Sequence, residues 1–308
     1  MSIKIKIVLL LLNVITIIAF GQTQLGQTID VEAPFFAIGA STSSSFDGNR
    51  IAVGGAGKSD WGFRVYEYSG NEWIQIGNDV NTDYPNNTSV YRVSLSSNGN
   101  IIAVSAMILD NGSTPFGHVK IYEYNGVDWN QIGNTLFGES NGDHFGDSLS
   151  LSANGDCLIV GARFNNNSQG NARVFEFDGT DWVQLGLDID GDPDQYYFGF
   201  TVSISSDGQI VAVGANQFDV NGISNAGLVR VFDYDGLEWI KKGEDLIGEN
   251  NNDNFGANVS LSNDGNRVAV GAAETSTREG FVKVFEFNGS NWYQIGTTIN
   301  GENIGDRT

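Results

Sequence analysis

Carboxylates in short rows are the residues of this chain whose type and spacing could do chemistry. Four aspartates alternate around Gly191, and a Gly-Glu step followed by Asp four residues later recurs in other loops. A hard cation such as Ca²⁺ takes about six to eight oxygen ligands, which a loop of alternating carboxylates can supply. The sequence therefore predicts a candidate metal site at Asp188, Asp190, Asp192 and Asp194, and candidate ligand-binding carboxylates at Glu139, Asp143, Glu249 and Asp253.

The same spacing also fits an acidic, solvated turn held by Asx hydrogen bonds, so Ca²⁺ is a candidate cofactor and none is required. His118 and His144 are the only histidines, and neither lies in a recognisable motif with a serine or cysteine nucleophile. The single cysteine, Cys157, excludes an internal disulfide. These residues predict a protein that is not an enzyme.

The charge balance restricts the partners. The 308 residues include 37 Asp and Glu against 16 Lys and Arg, a net charge of −21. This charge repels a phosphate backbone and an anionic membrane surface, which argues against nucleic-acid and lipid partners. Since 40% of the residues are hydrophobic, the chain can build a sizeable core. We expect a folded protein whose partner is a glycan or a surface protein.

The amino terminus predicts export. Lys4 and Lys6 precede an apolar run over residues 7–20, and Ala19 and Gly21 are small residues suited to a signal peptidase. The run is shorter than the ~20 residues that a membrane-spanning helix needs. Residues 1–21 are therefore predicted to be a signal peptide, with no membrane insertion after cleavage and a secreted or outer-surface location.

One supersecondary unit recurs five times along residues 22–308. Each copy has four short apolar runs, with Asx-Gly or Ser-Gly pairs between runs one and two and between runs three and four. These pairs predict two tight type I′ hairpins per copy, because Asx and Gly tolerate the positive φ of that turn. Tryptophan begins run four of every copy, at intervals of 56, 53, 57 and 53 residues: Trp73, Trp129, Trp182, Trp239 and Trp292.

Four antiparallel strands in series, repeated at this interval, predict an all-β fold, a β-propeller with one four-stranded antiparallel blade per copy. Alternating serines such as Ser148 and Ser150 suit an innermost strand. The tryptophans, and a base and an acid that recur in run three, are interpreted as structural because every copy has them. The five repeats either close into a five-bladed ring or belong to a larger propeller, as a monomer or within a longer chain. Approximate blade limits are 38–77, 89–133, 145–186, 198–243 and 255–296.

The two ends of such a blade differ in their loops. The tight turns lie at one end, the turn face; the loops between strands two and three and the linkers between blades lie at the other, the loop face. Since recognition usually occurs on longer loops, we expect the loop face to bind the partner. The linkers contain 16 Asp or Glu and one Arg, over residues 27–37, 78–88, 134–144, 187–197, 244–254 and 297–307.

Phe-Gly before strand one and Gly-Ala after strand two recur at Phe145/Gly161, Phe198/Gly214 and Phe255/Gly271. With this order the chain resembles the FG-GAP repeat of integrin-α-like propellers, and especially the tandem variants of secreted bacterial proteins. The resemblance implies a surface-exposed propeller used in adhesion or ligand binding.

This sequence departs from the family pattern in two respects. Arg163, Asn216 and Ala273 replace the final Pro, and residues 206–209 form only a short turn where integrin-type repeats have a calcium loop. Calcium is therefore not expected at that position.

Three functions stay open. The first is a non-catalytic binding or adhesion module for a glycan or protein, which uses the acidic loop face. The second is a polysaccharide-acting enzyme that uses paired linker carboxylates, since glycoside hydrolysis needs two carboxyl groups at a defined separation. The third is a purely structural module of a larger surface protein.

Overall fold

The computed structural model of the protein describes residues 24–29, 38–55, 62–80, 88–108, 117–193, 196–272 and 279–302. Within these ranges the chain forms five antiparallel sheets, together with one helical turn, α1 (Asn165–Ser168). No helix within them is long and apolar enough to cross a membrane. The predicted signal peptide, residues 1–21, lies outside the described residues.

Each sheet is one blade, and its four strands follow one another in chain order. Blade one contains β1 (Ile38–Ser44), β2 (Arg50–Gly55), β3 (Phe63–Tyr68) and β4 (Trp73–Val80). Blade two contains β5 (Thr88–Leu95), β6 (Ile101–Ile108), β7 (His118–Tyr124), β8 (Trp129–Gln131) and the short β9 (Leu136–Phe137). Blade three contains β10 (Ser148–Leu151), β11 (Cys157–Ala162), β12 (Asn171–Phe177), β13 (Trp182–Gln184) and β14 (Ile189–Asp190). Blade four contains β15 (Thr201–Ile204), β16 (Ile210–Ala215), β17 (Leu228–Tyr234), β18 (Trp239–Lys241) and β19 (Leu246–Ile247). Blade five contains β20 (Phe255–Leu261), β21 (Arg267–Ala272), β22 (Phe281–Phe287) and β23 (Trp292–Asn300). The predicted all-β fold with four-stranded antiparallel blades is confirmed.

The fourth strand of each blade extends into the predicted linker. In blades one and five it continues past a bulge, because β4 and β23 shift register against the third strand near Gly77 and Gly296. In the middle blades the continuation is the short strand β9, β14 or β19, which pairs with the start of the third strand. The bulge glycine has a positive φ of +66 to +76° in every blade, which disfavours other residues there.

The predicted type I′ turns are wrong. Among the residues of these turns only glycine has a positive φ, whereas a type I′ turn needs it at both central residues. In blade one, Asp47 Oδ1 accepts the Ser45 hydroxyl at 2.6 Å and the Asn49 N–H at 3.0 Å. The Asx side chain therefore closes a five-residue loop, and its own backbone stays at negative φ.

The hydrophobic core lies between blades. Each of four buried clusters combines two adjacent sheets, from blades one and two to blades four and five. The aromatic ring of each Phe-Gly pair is buried in such a cluster, at Phe145, Phe198 and Phe255. The serines of the first strands accept hydrogen bonds across the interface, as Ser94 Oγ does from the Leu151 N–H at 3.0 Å. The prediction that small residues belong on the innermost strand is confirmed.

Tryptophan holds each blade to the segment before it. The indole Nε1 donates to a main-chain carbonyl one residue before the bulge glycine, as in Trp182 to Ile132 at 3.2 Å. A Cβ on that glycine would lie 2.6–3.0 Å from the indole. The interpretation of the five tryptophans as structural residues is confirmed. The other pairs are Trp73 with Leu25, Trp129 with Ile76, Trp239 with Leu185 and Trp292 with Lys242.

A ladder of main-chain hydrogen bonds joins the blades around the axis. One residue of each of the first four blades donates its main-chain N–H to the carbonyl of the equivalent residue in the next blade, at 2.7–3.0 Å. The bonds run from Phe46 to Ser97, then to Ala153, Ser206 and Asn263. Within the described residues no such bond joins Asn263 to Phe46, and the ring is open between blades five and one. The alternative of a closed five-bladed ring is therefore wrong for this structure.

Candidate functional site

Two of the predicted ligand-binding carboxylates are buried in their own loops. Asp143 Oδ2 accepts the Glu139 N–H at 2.7 Å, and Asp253 Oδ2 accepts the Glu249 N–H at 3.0 Å. The two glutamates point elsewhere: Glu139 accepts the Asn165 amide at 3.0 Å, and Glu249 pairs with a lysine. The aspartates shape the loop, and the glutamates are the members of this set that reach its surface. That any of the four binds a ligand stays a prediction.

The aspartates around Gly191 have separate partners. Asp188 accepts the Gln184 amide at 2.7 Å, and Asp192 pairs with both terminal nitrogens of Arg230 at 3.0 and 2.6 Å. Asp190 is exposed on β14; partial burial, then the neighbouring Asp188 and Glu139, raise its pKa. Asp194 lies outside the described residues, and within them no three His, Cys, Asp or Glu side chains are grouped to hold a metal ion. Calcium binding at this row stays a prediction.

In blades one, four and five the base that recurs in strand three contacts linker carboxylates, and in blade three Arg173 donates to the Phe137 carbonyl at 2.8 Å. Arg64 pairs with Asp79 at 2.6 Å, Arg230 pairs with Asp192 and with Asp245, and Lys283 pairs with Glu249 at 2.6 Å. The acid three residues further on has other partners: Glu67 with Arg50, Asp233 with Lys242 and Glu286 with Arg267. These contacts fix linkers and strand ends, so the array is structural, as expected.

One group of side chains on the loop face has no equivalent in the other blades. It lies between blades three and four and is called here the blade-three cluster. Asp147 stands where the other repeats have Ala40, Phe200 or Ala257, and Arg163 stands where they have Asn216 or Ala273. A site for a single ligand requires one such special copy. The cluster consists of His144, Asp147, Arg163, Phe164, Tyr197 and Phe200.

Asp147 is the buried charge of the cluster. It is 3% exposed and lies at the start of the innermost strand, where its Oδ2 is 2.6 Å from Arg163 Nε and 3.4 Å from His144 Nδ1. These distances are those of ion pairs, but neither carboxylate oxygen accepts a hydrogen bond of good geometry within the described residues. Because a buried carboxylate is normally hydrogen-bonded, Asp147 retains the capacity to accept a donor.

Aromatic rings surround the guanidinium. Arg163 Cζ lies 4.7 Å from the Phe164 ring centre and 5.2 Å from that of Phe200, and Phe164 and Tyr197 meet edge to face at 5.1 Å. Cation–π contacts of this kind hold a guanidinium in one position. Tyr196, whose ring is 6.0 Å from that of Tyr197, is 53% exposed and extends the aromatic surface into solvent.

Backbone strain is concentrated at the same place. Five of the nine positive-φ residues other than glycine in the described ranges lie around the cluster, including His144 and Tyr197 at 58 and 66°. A bulky residue in this region costs about 1–2 kcal/mol, so the surroundings must hold it there. The Tyr197 N–H donates to the Ser168 carbonyl at 2.9 Å, which joins the α1 turn to the linker. Such outliers are frequent where a ligand is held.

The turn face offers a second concavity. A cavity of about 520 Å³ lies on the axis and is lined by the ends of the first strands of all five blades. Part of its polar lining is already engaged, because the hydroxyls of Ser45, Ser152 and Ser205 donate to the Asx residues of their own turns. The blade-three cluster, which has a buried charge and exposed rings, is the better candidate.

Sequence reasoning missed this cluster. It found no recognisable motif at His144 and noted Arg163 only as a departure from the family pattern. The available signal was singularity, because both Asp147 and Arg163 occur at repeat positions where the other blades have no charge. The contribution of Tyr197 and Phe200 could not be inferred, since they belong to the next linker and blade.

Comparisons with known proteins support the fold. No protein-family model matches the chain, and no curated protein matches it. Among solved structures, the chain is similar to a candidate 6-phosphogluconolactonase from Bacteroides uniformis, with a TM-score of 0.59, 12% identity, and coverage of 85% of this chain and 72% of that chain. It is also similar to hydrazine synthase from Kuenenia stuttgartiensis, with a TM-score of 0.52, 13% identity, and coverage of 93% and 72%. At these identities the likeness shows the fold alone, which is that of a β-propeller.

Proposed function

We propose that this protein is a non-catalytic binding module that recognises a neutral glycan at the blade-three cluster on its loop face. The observation that carries the proposal is the single-copy arrangement of a buried carboxylate, a fixed guanidinium and exposed aromatic rings. Within the described residues, this cluster is where the side chains of one blade depart from those at the same positions of the other repeats.

The chemistry of the cluster matches a sugar. The apolar faces of a pyranose pack on aromatic rings, and Tyr196 presents one to solvent beside the half-buried Tyr197. Sugar hydroxyls can donate to Asp147, whose oxygens accept no well-formed hydrogen bond from the described residues. Arg163 and His144 supply donors at 2.6 and 3.4 Å from the same carboxylate. A few convergent polar groups beside aromatic surface are typical of small-ligand sites.

The surrounding charge favours a neutral ligand over an anionic one. Asp188, Asp190 and Asp192 lie in the same linker as Tyr197, and the net charge of the chain is −21. An anionic polymer would be repelled by this field before it reached the cluster. The local base, Arg163, is neutralised by Asp147 and is therefore no attraction for phosphate or sulfate.

Two features of the sequence support export and adhesion. Residues 1–21 have the charge and apolar pattern of a signal peptide, and the Phe-Gly and Gly-Ala repeats resemble FG-GAP propellers of surface proteins. We therefore place the module outside the cell or on its outer surface, as a member of that repeat class.

A glycan array with the full chain, followed by calorimetry on the best neutral glycan, tests the proposal. Tyr196→Ala is expected to weaken binding roughly threefold to tenfold, because an aromatic contact contributes about 0.5–1.5 kcal/mol. Tyr293→Ala is the matched control, since this tyrosine is 43% exposed but lies in blade five. It should leave the affinity unchanged.

Three results would count against the proposal. One is the absence of any glycan that binds. Another is an equal loss in Tyr196→Ala and Tyr293→Ala. The third is turnover of the glycan, which would favour the polysaccharide-acting enzyme. Repeating the titration with Ca²⁺ and with a chelator tests the separate prediction of calcium at Asp188, Asp190, Asp192 and Asp194.

A further inference from the structure

The axial cavity on the turn face combines an apolar floor with polar walls. Its volume of about 520 Å³ lies in the range of about 300–1,000 Å³ that is usual for small-ligand sites. Leu95, Leu151 and Ile204 form the floor, since they line the cavity at the ends of three first strands and are only 7–8% exposed. A ligand in this cavity therefore meets hydrocarbon below it and polar groups around it.

Several polar groups of the wall have hydrogen-bonding capacity to spare. The hydroxyls of Ser97 and Ser206 take part in no hydrogen bond within the described residues. The same is true of the Phe46 carbonyl, at which the axial ladder ends. Hydroxyl and carbonyl oxygens can all accept a proton donor. Because none of the residues that line the cavity is lysine, arginine or histidine, an anion would find no countercharge there.

The mouth of the cavity is negatively charged. Asp47, Asp207 and Asp264 directly follow lining residues in the turns of blades one, four and five. Asp47 and Asp207 each accept the hydroxyl of a lining serine, Ser45 or Ser205, at 2.6 Å. Hydrogen bonds, first from a serine hydroxyl and then from a main-chain N–H, lower the pKa of Asp47 and of Asp264. These carboxylates are therefore ionised at neutral pH and attract a cation.

One aromatic ring stands at the same cavity. Phe46 is 79% exposed and belongs to the lining, and no other blade has an aromatic residue at this position of the turn. An aromatic face attracts an ammonium group and also packs against methylene groups. Apolar floor, free acceptors, negative mouth and aromatic ring together match a molecule with both a hydrocarbon chain and a positive charge.

We propose that the axial cavity binds a linear alkyl amine, of the class of the diamines and polyamines. The methylene chain packs on the apolar floor, and an ammonium group donates to the hydroxyls of Ser97 and Ser206. Phe46 and the acidic turns hold the charge at the mouth. The site lies on the face opposite the blade-three cluster, and it does not depend on the glycan proposed there.

Calorimetric titration of the full chain with spermidine tests this proposal, with octanediol as a neutral probe of similar length. Because the chain carries a net charge of −21, the titration is run at physiological salt, which screens attraction to exposed charges elsewhere. Spermidine is expected to fill one saturable site, and octanediol is expected to bind more weakly.

Two double variants with the same charge separate the cavity from the rest of the surface. Asp207→Asn with Asp264→Asn should weaken spermidine binding at least about twofold, since each exposed charge contributes about 1.5-fold to fivefold. Asp178→Asn with Asp235→Asn is the matched control in the turns between strands three and four, and it should bind like the wild type. All four changes introduce the residue type that other blades have at the same position: Asn98 and Asn154 in the first case, Asn125 and Asn288 in the second.

A second pair of variants tests the aromatic contact without a change of charge. Phe46→Ala should weaken binding roughly twofold to fivefold, because an exposed cation–π contact has that effect. Leu237→Ala is the control, since Leu237 is 76% exposed in a turn of blade four and does not line the cavity. It should leave the affinity unchanged.

Four results would overturn the proposal. The first is the absence of saturable spermidine binding, and the second is an equal loss in the two double variants. The third is an equal effect of Phe46→Ala and Leu237→Ala. The fourth is octanediol binding as tight as that of spermidine, which would show that the cavity recognises hydroxyl groups and not the charge.

Discussion

Substitution of the bulge glycines separates the cost of backbone conformation from the cost of packing against tryptophan. Gly133 and Gly296 have nearly the same φ, +66 and +69°. An added Cβ at Gly133 would lie 2.7 Å from Trp182 Cδ1 and 3.0 Å from Asp181 Oδ1, whereas at Gly296 it would meet nothing within 4 Å. The two alanine variants therefore share one penalty and differ in the other.

The magnitudes follow from these geometries. Alanine in the left-handed region costs about 1–2 kcal/mol, and this applies to both variants. Forcing a methyl group into a packed interface costs about 1–3 kcal/mol more, and this applies to Gly133→Ala alone. We expect Gly296→Ala to lower the free energy of unfolding by the first amount, and Gly133→Ala to lower it by the sum.

Urea unfolding followed by tryptophan fluorescence measures the difference in the free energy of unfolding. Gly186→Ala is a useful intermediate, because its Cβ would lie 3.0 Å from Trp239. The reasoning is refuted if Gly133→Ala and Gly296→Ala lower stability equally, since the indole would then yield without cost. A greater loss in Gly296→Ala would refute it as well.

Three further predictions concern ionisable groups. Burial, with a smaller effect of a neighbouring lysine, lowers the pKa of His118 from 6.5 to about 4. The unfolded chain therefore takes up a proton in this range that the folded chain does not, and the wild type should lose up to about 1.4 kcal/mol per pH unit on acidification. His118→Leu introduces the residue type that blade four has at the same position, Leu228, and should remove this pH dependence. Urea titrations at pH 7, 5.5 and 4.5 measure it. If the free energies of unfolding of the wild type and the variant fall in parallel with pH, the prediction is contradicted. Burial raises the pKa of Cys157 to about 12, so an aromatic disulfide reagent should label this thiol only on unfolding, and rapid labelling of the native protein would contradict this. Burial alone would raise the pKa of Asp245, but hydrogen bonds from Arg230 and Lys241 outweigh this effect and hold the pKa below 3.8. Asp245→Asn should cost about 1–3 kcal/mol at pH 7, with the difference narrowing as pH falls below 4, and a difference constant down to pH 3 would be evidence against the pairing.

The blades could be predicted because their determinants are local and recur. Glycine marks each turn, tryptophan marks each fourth strand, and both return at a fixed phase in the sequence. The continuation of the fourth strand was missed because the sequence pattern places the end of that strand at Gly133 and at the corresponding glycines of the other blades. They are bulges, and the two residues that pair beyond them, such as Leu136 and Phe137, carry too little pattern to be recognised as a strand.

The candidate site and the open ring depend on contacts between distant residues. Asp147, Arg163 and Tyr197 converge only because the linker of one blade passes over the loop of another, and no periodicity encodes that path. Whether five blades close depends on the interface between blades five and one, where the described residues contain no axial hydrogen bond between Asn263 and Phe46. Sequence spacing constrains each interface between blades, but it does not give the rotation from one blade to the next, and the sum of these rotations decides whether the ring closes.

The way in which the blades are joined has a consequence for the history of such a chain. The axial ladder uses main-chain atoms alone, and each repeat contains both the tryptophan that donates and the glycine segment that accepts. A repeat copied by gene duplication therefore arrives with both halves of its joints and needs no compensating mutation in its neighbours. Blade number can change by whole repeats while each joint stays the same, and divergence is then free to act on a single blade, as at Asp147 and Arg163.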